Sequence, residues 1–230
     1  MPKVRYLSIR FSQSLFPYEV SQFRAAVIEK TRRESDLFHN HTDEGTLYRY
    51  PLIQYKVVHR KAGMICLNEG ADAIHRLFQE QDLSVRVGSR EFQLEVEDLD
   101  LGYRQVQTWQ NSFLYSLLNW LPLNQEQHRR WQSLEGDDRA QGELLEKILI
   151  GHILAFASGV DWQAEHRIEA RIERIREMKL LTYKGGKKLA VSLNFRTNVS
   201  LPDFVGLGKG ASVGFGIVKR IFEREEKPSE

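Results

Sequence analysis

Gly206-Leu-Gly-Lys-Gly-Ala-Ser-Val-Gly-Phe-Gly216 places five of the chain's sixteen glycines within eleven residues. Ordering glycine costs more conformational entropy than ordering any other residue, so five together make sense where the backbone needs positive φ or a close approach. Lys209 and Ser212 add a charge and a hydroxyl donor, and successive amides in such a loop form an anion-binding concavity suited to RNA or a nucleotide. The flanks, Leu201 and Val205 before it and Ile217-Val218 after it, are apolar, which argues for a structured loop over a floppy linker. Gly206, Gly208 and Ala211 also satisfy the loose dinucleotide pattern G-x-G-x-x-G/A. That fingerprint opens a βαβ unit of ~30 residues with an acid about 20 positions further on, and too few residues follow Gly216. A nucleotide P-loop is excluded as well, because Lys209 is followed by Gly210 where the motif needs Ser or Thr. The loop therefore closes an α/β unit instead of opening one.

The chain upstream reads as two such units. Residues 4–11 alternate, with Leu7, Ile9 and Phe11 on one face and Tyr6, Ser8 and Arg10 on the other, which predicts a strand. Val20, Phe23 and Val27 recur at helical spacing and predict a helix to about residue 33. Leu52, Ile53, Tyr55, Val57 and Val58 predict a strand, turned through Lys61-Ala-Gly63 into a second at 64–67. Ile74, Leu77 and Phe78 mark a helix over 71–81, and strand-like stretches lie at 83–88 and 91–97. Strand, helix, two strands, helix, strand is the ferredoxin-like order.

From about residue 102 a second unit begins. Val106, Trp109, Phe113 and Leu117 fit a strand or a helix, and Pro122 breaks the segment. Polar residues 124–142 lead to a helix in which Leu145, Ile148, Leu149, His152 and Phe156 share a face, ended by Gly159. The run 167–175 reads as strand although Ile168, Ile172 and Ile175 are also helically spaced. A Lys184-Gly-Gly-Lys187 turn joins it to a strand at 188–195, and the glycine loop feeds a last strand over 213–222. The expected class is α+β: two tandem ferredoxin-like (RRM-like) domains, 1–101 and 102–230, with a C-terminal glycine-rich loop.

A length of 230 residues and a hydrophobic content of 41% suffice for two real cores. No stretch approaches the ~18 to 20 apolar residues of a membrane span, and Met-Pro-Lys-Val-Arg lacks the apolar region of a signal peptide, so a cytoplasmic protein with no membrane partner is expected. The single cysteine, Cys66, excludes an intrachain disulfide framework and is expected in a core. Net charge is only +2, but residues 171–220 hold eleven Lys or Arg against three acids, a cationic field suited to a polyanion. Glu91 to Asp100, by contrast, holds five acids and no base.

Phe38-His39-Asn40-His41-Thr42-Asp43-Glu44-Gly45 follows the basic first helix. Two imidazoles one residue apart supply a base and an acid near neutral pH, the pair that metal-free RNA cleavage needs: one takes the 2′-hydroxyl proton and the other protonates the departing 5′-oxygen. Tyr48, Tyr50 and Lys56 offer a hydroxyl and a cation to hold the phosphorane charge. Two other readings of the pair stand beside this one, exposed loop histidines without chemistry and a metal site built from Asp36, His39, His41 and Asp43, although no distant ligand set accompanies the latter. The letters His-Asn-His do not make an HNH nuclease, whose metal-binding hairpin-helix unit has no counterpart here. His152, on an apolar helix face, is expected in the core.

The stretch 206–216 fits G-h-G-x-x-x-x-x-G-h-G, with h hydrophobic, and so resembles the signature of the CRISPR-associated endoribonucleases that process precursor CRISPR RNA, the sixth CRISPR-associated family. The histidine pair after the first helix is similar to that of the subgroup serving type I-B systems. The resemblance implies two ferredoxin-like domains and cofactor-free, metal-independent cleavage of CRISPR repeat RNA, leaving a 2′,3′-cyclic phosphate and a 5′-hydroxyl. It further implies that His39 and His41 are the acid/base pair, with Tyr48, Tyr50 or Lys56 as a third group. Gly206, Gly208, Lys209, Ser212, Gly214 and Gly216, with Lys184, Lys187 and Lys188 on the neighbouring turn, are the expected RNA contacts. Other CRISPR-associated effector subunits and a second copy of the chain are compatible partners. A non-catalytic repeat-binding subunit would use the same surface. A two-histidine phosphoesterase would need two His-x-Ser/Thr motifs, and no convincing pair exists.

Overall fold

The alternating N-terminal residues form β1 (Lys3–Ser14), and the apolar face that includes Phe23 and Val27 forms α1 (Val20–Lys30). A computed structural model describes residues 3–31 and 50–222, together with the backbone of His41–Thr42 (β2) and Gly45–Thr46 (β3). The first unit continues with β4 (Ile53–Val58), β5 (Lys61–Leu67), α2 (Glu69–Ala73), α3 (His75–Gln79), a small hairpin of β6 (Ser84–Val87) and β7 (Arg90–Gln93), and β8 (Val96–Gln105). Its antiparallel sheet has the order β4-β5-β1-β8, the ferredoxin-like arrangement in which the first and third strands lie centrally.

Both faces of this sheet are used. Leu7, Ile9, Phe11, Ile53, Tyr55, Met64 and Cys66 pack under the helices against Phe23, Val27, Ile74 and Leu77. Each such side chain contributes about 1.5–3 kcal/mol through burial. Cys66 is the core residue expected, and burial pushes its thiol pKa up. On the opposite face Tyr6, Leu52, Ile65 and Leu67 join a second core with Tyr115, Phe156 and Val160 of the C-terminal unit. The face expected to be polar is thus partly a seam between the two halves.

The C-terminal unit comprises β9 (Thr108–Trp120), α4 (Gln125–Ser133), α5 (Asp138–Gly159), β10 (Ala170–Tyr183), β11 (Gly186–Val199) and β12 (Ile217–Arg220). Its sheet order, β10-β11-β9-β12, repeats the first unit's, with residues 200–216 standing where the second helix would be. The fold is α+β, two ferredoxin-like units in tandem. The helix α5 starts where the Asp137 carboxylate accepts from the Ala140 N–H (2.9 Å), and it buries Leu144, Leu145, Ile148, Leu149, Ile153, Phe156 and Ala157. Among the described residues no helix is long and apolar enough to cross a membrane.

Several elements differ from their sequence expectation for identifiable reasons. The 71–81 helix is broken into two short pieces at Ile74, where the Leu77 N–H bonds the Ile74 carbonyl in a tightened turn (3.0 Å). The polar stretch 124–142 contains α4, held by reciprocal bonds between Asn124 and Gln127 at 2.7 and 2.8 Å; it buries no residue, so it has no apolar period to read. β8 closes the first sheet although its residues are mostly exposed, and the last strand is only 217–220 because 211–213 turn as a 3-10 segment. The ambiguous 106–117 and 167–175 segments become strand from Thr108 and from Ala170 onward.

Gly159 marks a close approach of α5 to the first unit: a Cβ there would lie 2.2 Å from the Cβ of Tyr50. Gly159→Ala is therefore expected to lose about 1–3 kcal/mol. Gly151→Ala, in the same helix with nothing within 4 Å, is expected to gain up to about 1 kcal/mol. Urea unfolding of the two variants checks the opposite signs.

Candidate nucleic-acid interface

The glycine loop is folded upon itself before it meets anything else. The Leu207 N–H donates to the Gly216 carbonyl (2.8 Å), Val213 and Phe215 donate to the Gly210 carbonyl (2.9 and 3.2 Å), and the Gly216 N–H reaches the Asn119 carbonyl (3.3 Å). Gly216 and Gly208 show the steric need for glycine. Gly216 has φ +63°, and a Cβ on it would stand 2.0 Å from the Leu207 carbonyl oxygen; Gly208 has φ +79°, and its Cβ would meet the His152 ring at 2.8 Å. Gly206 and Gly216 are buried, while Gly208, Lys209, Ser212 and Gly214 are half-buried.

What fixes the loop is the polar edge of β4. Tyr50 Oη donates to the Gly206 carbonyl (2.7 Å), Gln54 Nε2 donates to Tyr50 Oη (2.9 Å), and the Gly206 N–H donates back to Gln54 Oε1 (2.8 Å). One residue pair further on, Lys56 Nζ faces the Ala211 carbonyl at 3.4 Å. Gln54 and Lys56 are fully buried on the β4 face opposite Ile53 and Tyr55. Burial pushes the Lys56 ammonium down to about 7 and raises the Tyr50 phenol above its ordinary range. Gln54 was not singled out from sequence, although a glutamine and a lysine on one face of an otherwise apolar strand are the trace such a clasp leaves.

The loop's other side meets the cationic turn. Lys184 (φ +48°) and Gly185 (φ +75°) form the two-residue turn between β10 and β11, and Tyr183 just before it contacts the Phe215 ring edge-on at 5.5 Å. Lys184, Lys187 and Lys188 are exposed there, and Lys187 Nζ donates to Thr182 Oγ1 (3.1 Å). Lys209 Nζ donates to the Leu123 carbonyl (3.0 Å), and burial, then the nearby Lys188 charge, lowers its pKa. His152 accepts from Trp120 Nε1 at Nδ1 (3.0 Å), and burial, then Lys209, holds its pKa down at about 4, so it is a neutral packing residue at pH 7. The structure thus brings the loop and the lysine turn together. His39 and Tyr48 lie outside the described residues; of His41 only the backbone pairing with Thr46 is described. Asp36 and Asp43 lie outside them too, and among the described residues no group of three or more His, Cys, Asp or Glu is placed to hold a metal ion.

A groove of roughly 430 Å³ runs between the open face of the first sheet and residues 201–204, lined by Tyr6, Ser8, Arg10, His59, Phe204 and Arg220 among others. The Arg220 guanidinium lies 3.9 Å over the Phe113 ring. No sequence spacing announces this groove, because its walls come from β1, β8, β12 and the segments beside them.

Residues 2–105 match the family model of the Cas6b N-terminal domain, and residues 107–221 match that of the Cas6b C-terminal domain. The chain belongs to the Cas6b family. Solved structures agree on the fold: one described as the crystal structure of Cas6b superposes with a TM-score of 0.87 at 21% identity, covering 96% of this chain and 100% of that one. Another, described as the CRISPR RNA processing endoribonuclease Cas6b, gives 0.71 at 19% identity with the same coverages. An uncharacterized protein of Methanocaldococcus jannaschii is 31% identical over 115 residues, 50% of this chain and 76% of that protein.

The buried ammonium of this Cas6b family member has a consequence for stability. Lys56 has a lower pKa folded than its ordinary 10.5. Below about 7 both states are protonated and the burial cost is fully present; between there and 10.5 the unfolded chain binds the extra proton, so stability rises with pH. The rise is limited to about 1.4 kcal/mol per pH unit. Lys56→Met is expected to flatten it, as read from urea midpoints of both proteins across that range.

Proposed function

We propose that the chain is an endoribonuclease that cleaves CRISPR repeat RNA within precursor transcripts. The observation that carries this reading is the match of both Cas6b domain models, over residues 2–105 and 107–221, in a sequence that has His39 and His41 after the first helix. In this reading one of His39 and His41 removes the 2′-hydroxyl proton as that oxygen attacks the adjacent phosphorus, and the other protonates the leaving 5′-oxygen. The bond broken is P–O5′ and the bond formed is P–O2′, so the products are a 2′,3′-cyclic phosphate and a 5′-hydroxyl, without a metal ion.

Tyr50 and Lys56 take a different part from the histidines. The Tyr50 hydroxyl is already committed to Gly206 and Gln54, and Lys56 is buried beneath Ala211. In the proposal both act as positioning residues that hold the glycine loop against β4, which leaves Tyr48 as the remaining candidate for the third group. Repeat RNA runs along the exposed Lys184, Lys187 and Lys188 turn and the loop, with affinity that falls as salt rises.

Cleavage of the cognate repeat RNA by the intact chain is expected to proceed undiminished in EDTA. His39→Ala and His41→Ala are each expected to slow single-turnover cleavage by about 10²- to 10⁴-fold while RNA binding persists. End-group analysis of the product reads the chemistry: a 5′-phosphate, or loss of activity in EDTA, contradicts it. Tight binding with no cleavage of any repeat RNA assigns the chain to the non-catalytic, repeat-binding reading.

A further inference from the structure

Phe16 and Tyr18, in the turn that leads from β1 into α1, belong to neither core. They are 52% and 75% exposed, although Leu15 before them and Val20 after them are buried. Their ring centroids lie 5.5 Å apart and their planes are within 4° of parallel, an offset stack. A lone exposed ring is ordinary; two rings stacked upon each other at the surface make a built feature.

Glu19 holds that stack in place. Its buried carboxylate accepts from the Phe16 N–H (2.9 Å) and from Arg90, and the Glu19 N–H closes the turn on the Phe16 carbonyl (3.0 Å). The Arg90 guanidinium lies 5.7 Å from the Phe16 ring centroid and 4.7 Å from that of Phe92, which fastens the base of the stack to the β6–β7 hairpin. The other end is the Tyr18 ring, open to solvent. The stack also stands beside the glycine loop. A Cβ on Gly214 would lie 3.7 Å from both Cγ atoms of Val20, two residues beyond Tyr18, while the adjoining Phe215 meets Tyr183 at the lysine turn. On the β4–β5 turn, exposed Arg60 accepts from the Leu15 N–H at its carbonyl (3.1 Å), which brings a further cation to this end of the loop.

We infer that Phe16 and Tyr18 are a base-stacking platform, on which an unpaired nucleobase of the RNA crossing the glycine loop stacks against the open face of Tyr18. The inference rests on the RNA reading given above and names a further contact for it. A nucleobase is the occupant, and not an apolar side chain of a partner protein, because the platform continues the loop and the lysine turn and is bordered by Arg60. A ring with two χ angles that is already packed on Phe16 loses little freedom when a base covers it. Stacking engages the face of a base and not its edge, so the platform selects an unpaired nucleotide over a duplex without choosing among the bases.

The test titrates the full chain, in a His39→Ala background that leaves the substrate uncut, into repeat RNA carrying 2-aminopurine at one position at a time. Fluorescence quenching is expected at one or two neighbouring positions, and Tyr18→Ala is expected to abolish it and to weaken binding roughly 5- to 100-fold. Tyr18→Trp is expected to restore both, and Tyr18→Leu, which keeps apolar area without a π-face, to restore neither. Salt dependence separates stacking from charge: Tyr18→Ala is expected to leave the slope of log K against log salt unchanged, whereas replacing Lys184, Lys187 and Lys188 together by Ala lowers its magnitude by about 2. Thermal melts check that each variant is folded. If Tyr18→Ala binds as tightly as the unsubstituted chain while the lysine variant is weakened, the platform is overturned and the RNA reading stands; full binding by Tyr18→Leu has the same meaning. An intact chain that binds no repeat RNA overturns both and leaves the exposed rings to a partner of another kind.

Discussion

Three buried hydrogen bonds among Tyr50, Gln54 and Gly206 hold the two halves of this molecule in register. Each satisfies a group that would otherwise be stranded in an apolar seam, where an unpaired donor or acceptor costs about 1–3 kcal/mol. The ring closes only in one geometry, since Gln54 both donates to the phenol and accepts from the loop amide. Around it Phe156 meets Tyr50 edge-on at 5.3 Å and Gly159 lets the ring approach α5. The seam therefore combines directional bonds, which fix position, with apolar burial, which supplies most of the favourable free energy.

Because the clasp grips the loop from β4, the glycine loop faces two ways. Its inner side is spent on its own turns and on the first unit, and its outer side meets Tyr183 and the lysine turn. The glycines expected from sequence to contact phosphate have a reason to be glycine within the fold itself, namely the 2.0 Å and 2.8 Å approaches at Gly216 and Gly208. Lys56 is the costly component, an ammonium taken out of water beneath Ala211, and its depressed pKa is the signature of that cost.

The uneven charge of the chain sorts by surface. Cations gather on the β10–β11 turn beside the loop, whereas Glu97, Asp98 and Asp100 gather on β8 at the edge of the other sheet. Separation of this kind leaves a cationic face suited to a polyanion, and the net charge of +2 conceals it.

The sequence by itself determined the elements whose signal is local. The alternation of residues 4–11, the apolar stripe of α5, the turn at Lys184-Gly185 and the place of the glycine loop before the last strand were all legible, because periodicity and turn chemistry act over a few residues. The order of those elements sufficed for the tandem ferredoxin-like class. Tertiary structure alone decided the rest. Nothing near Gln54 in the chain reveals a partner 152 residues away, nor does the spacing around Tyr50 reveal that its hydroxyl is occupied by Gly206. β8 and α4 were missed because exposed strands and helices carry no burial period to read. Long-range pairing is set by which faces the sheets turn toward each other, and that is a property of the assembled fold, where side chains distant in sequence compete for the same buried space.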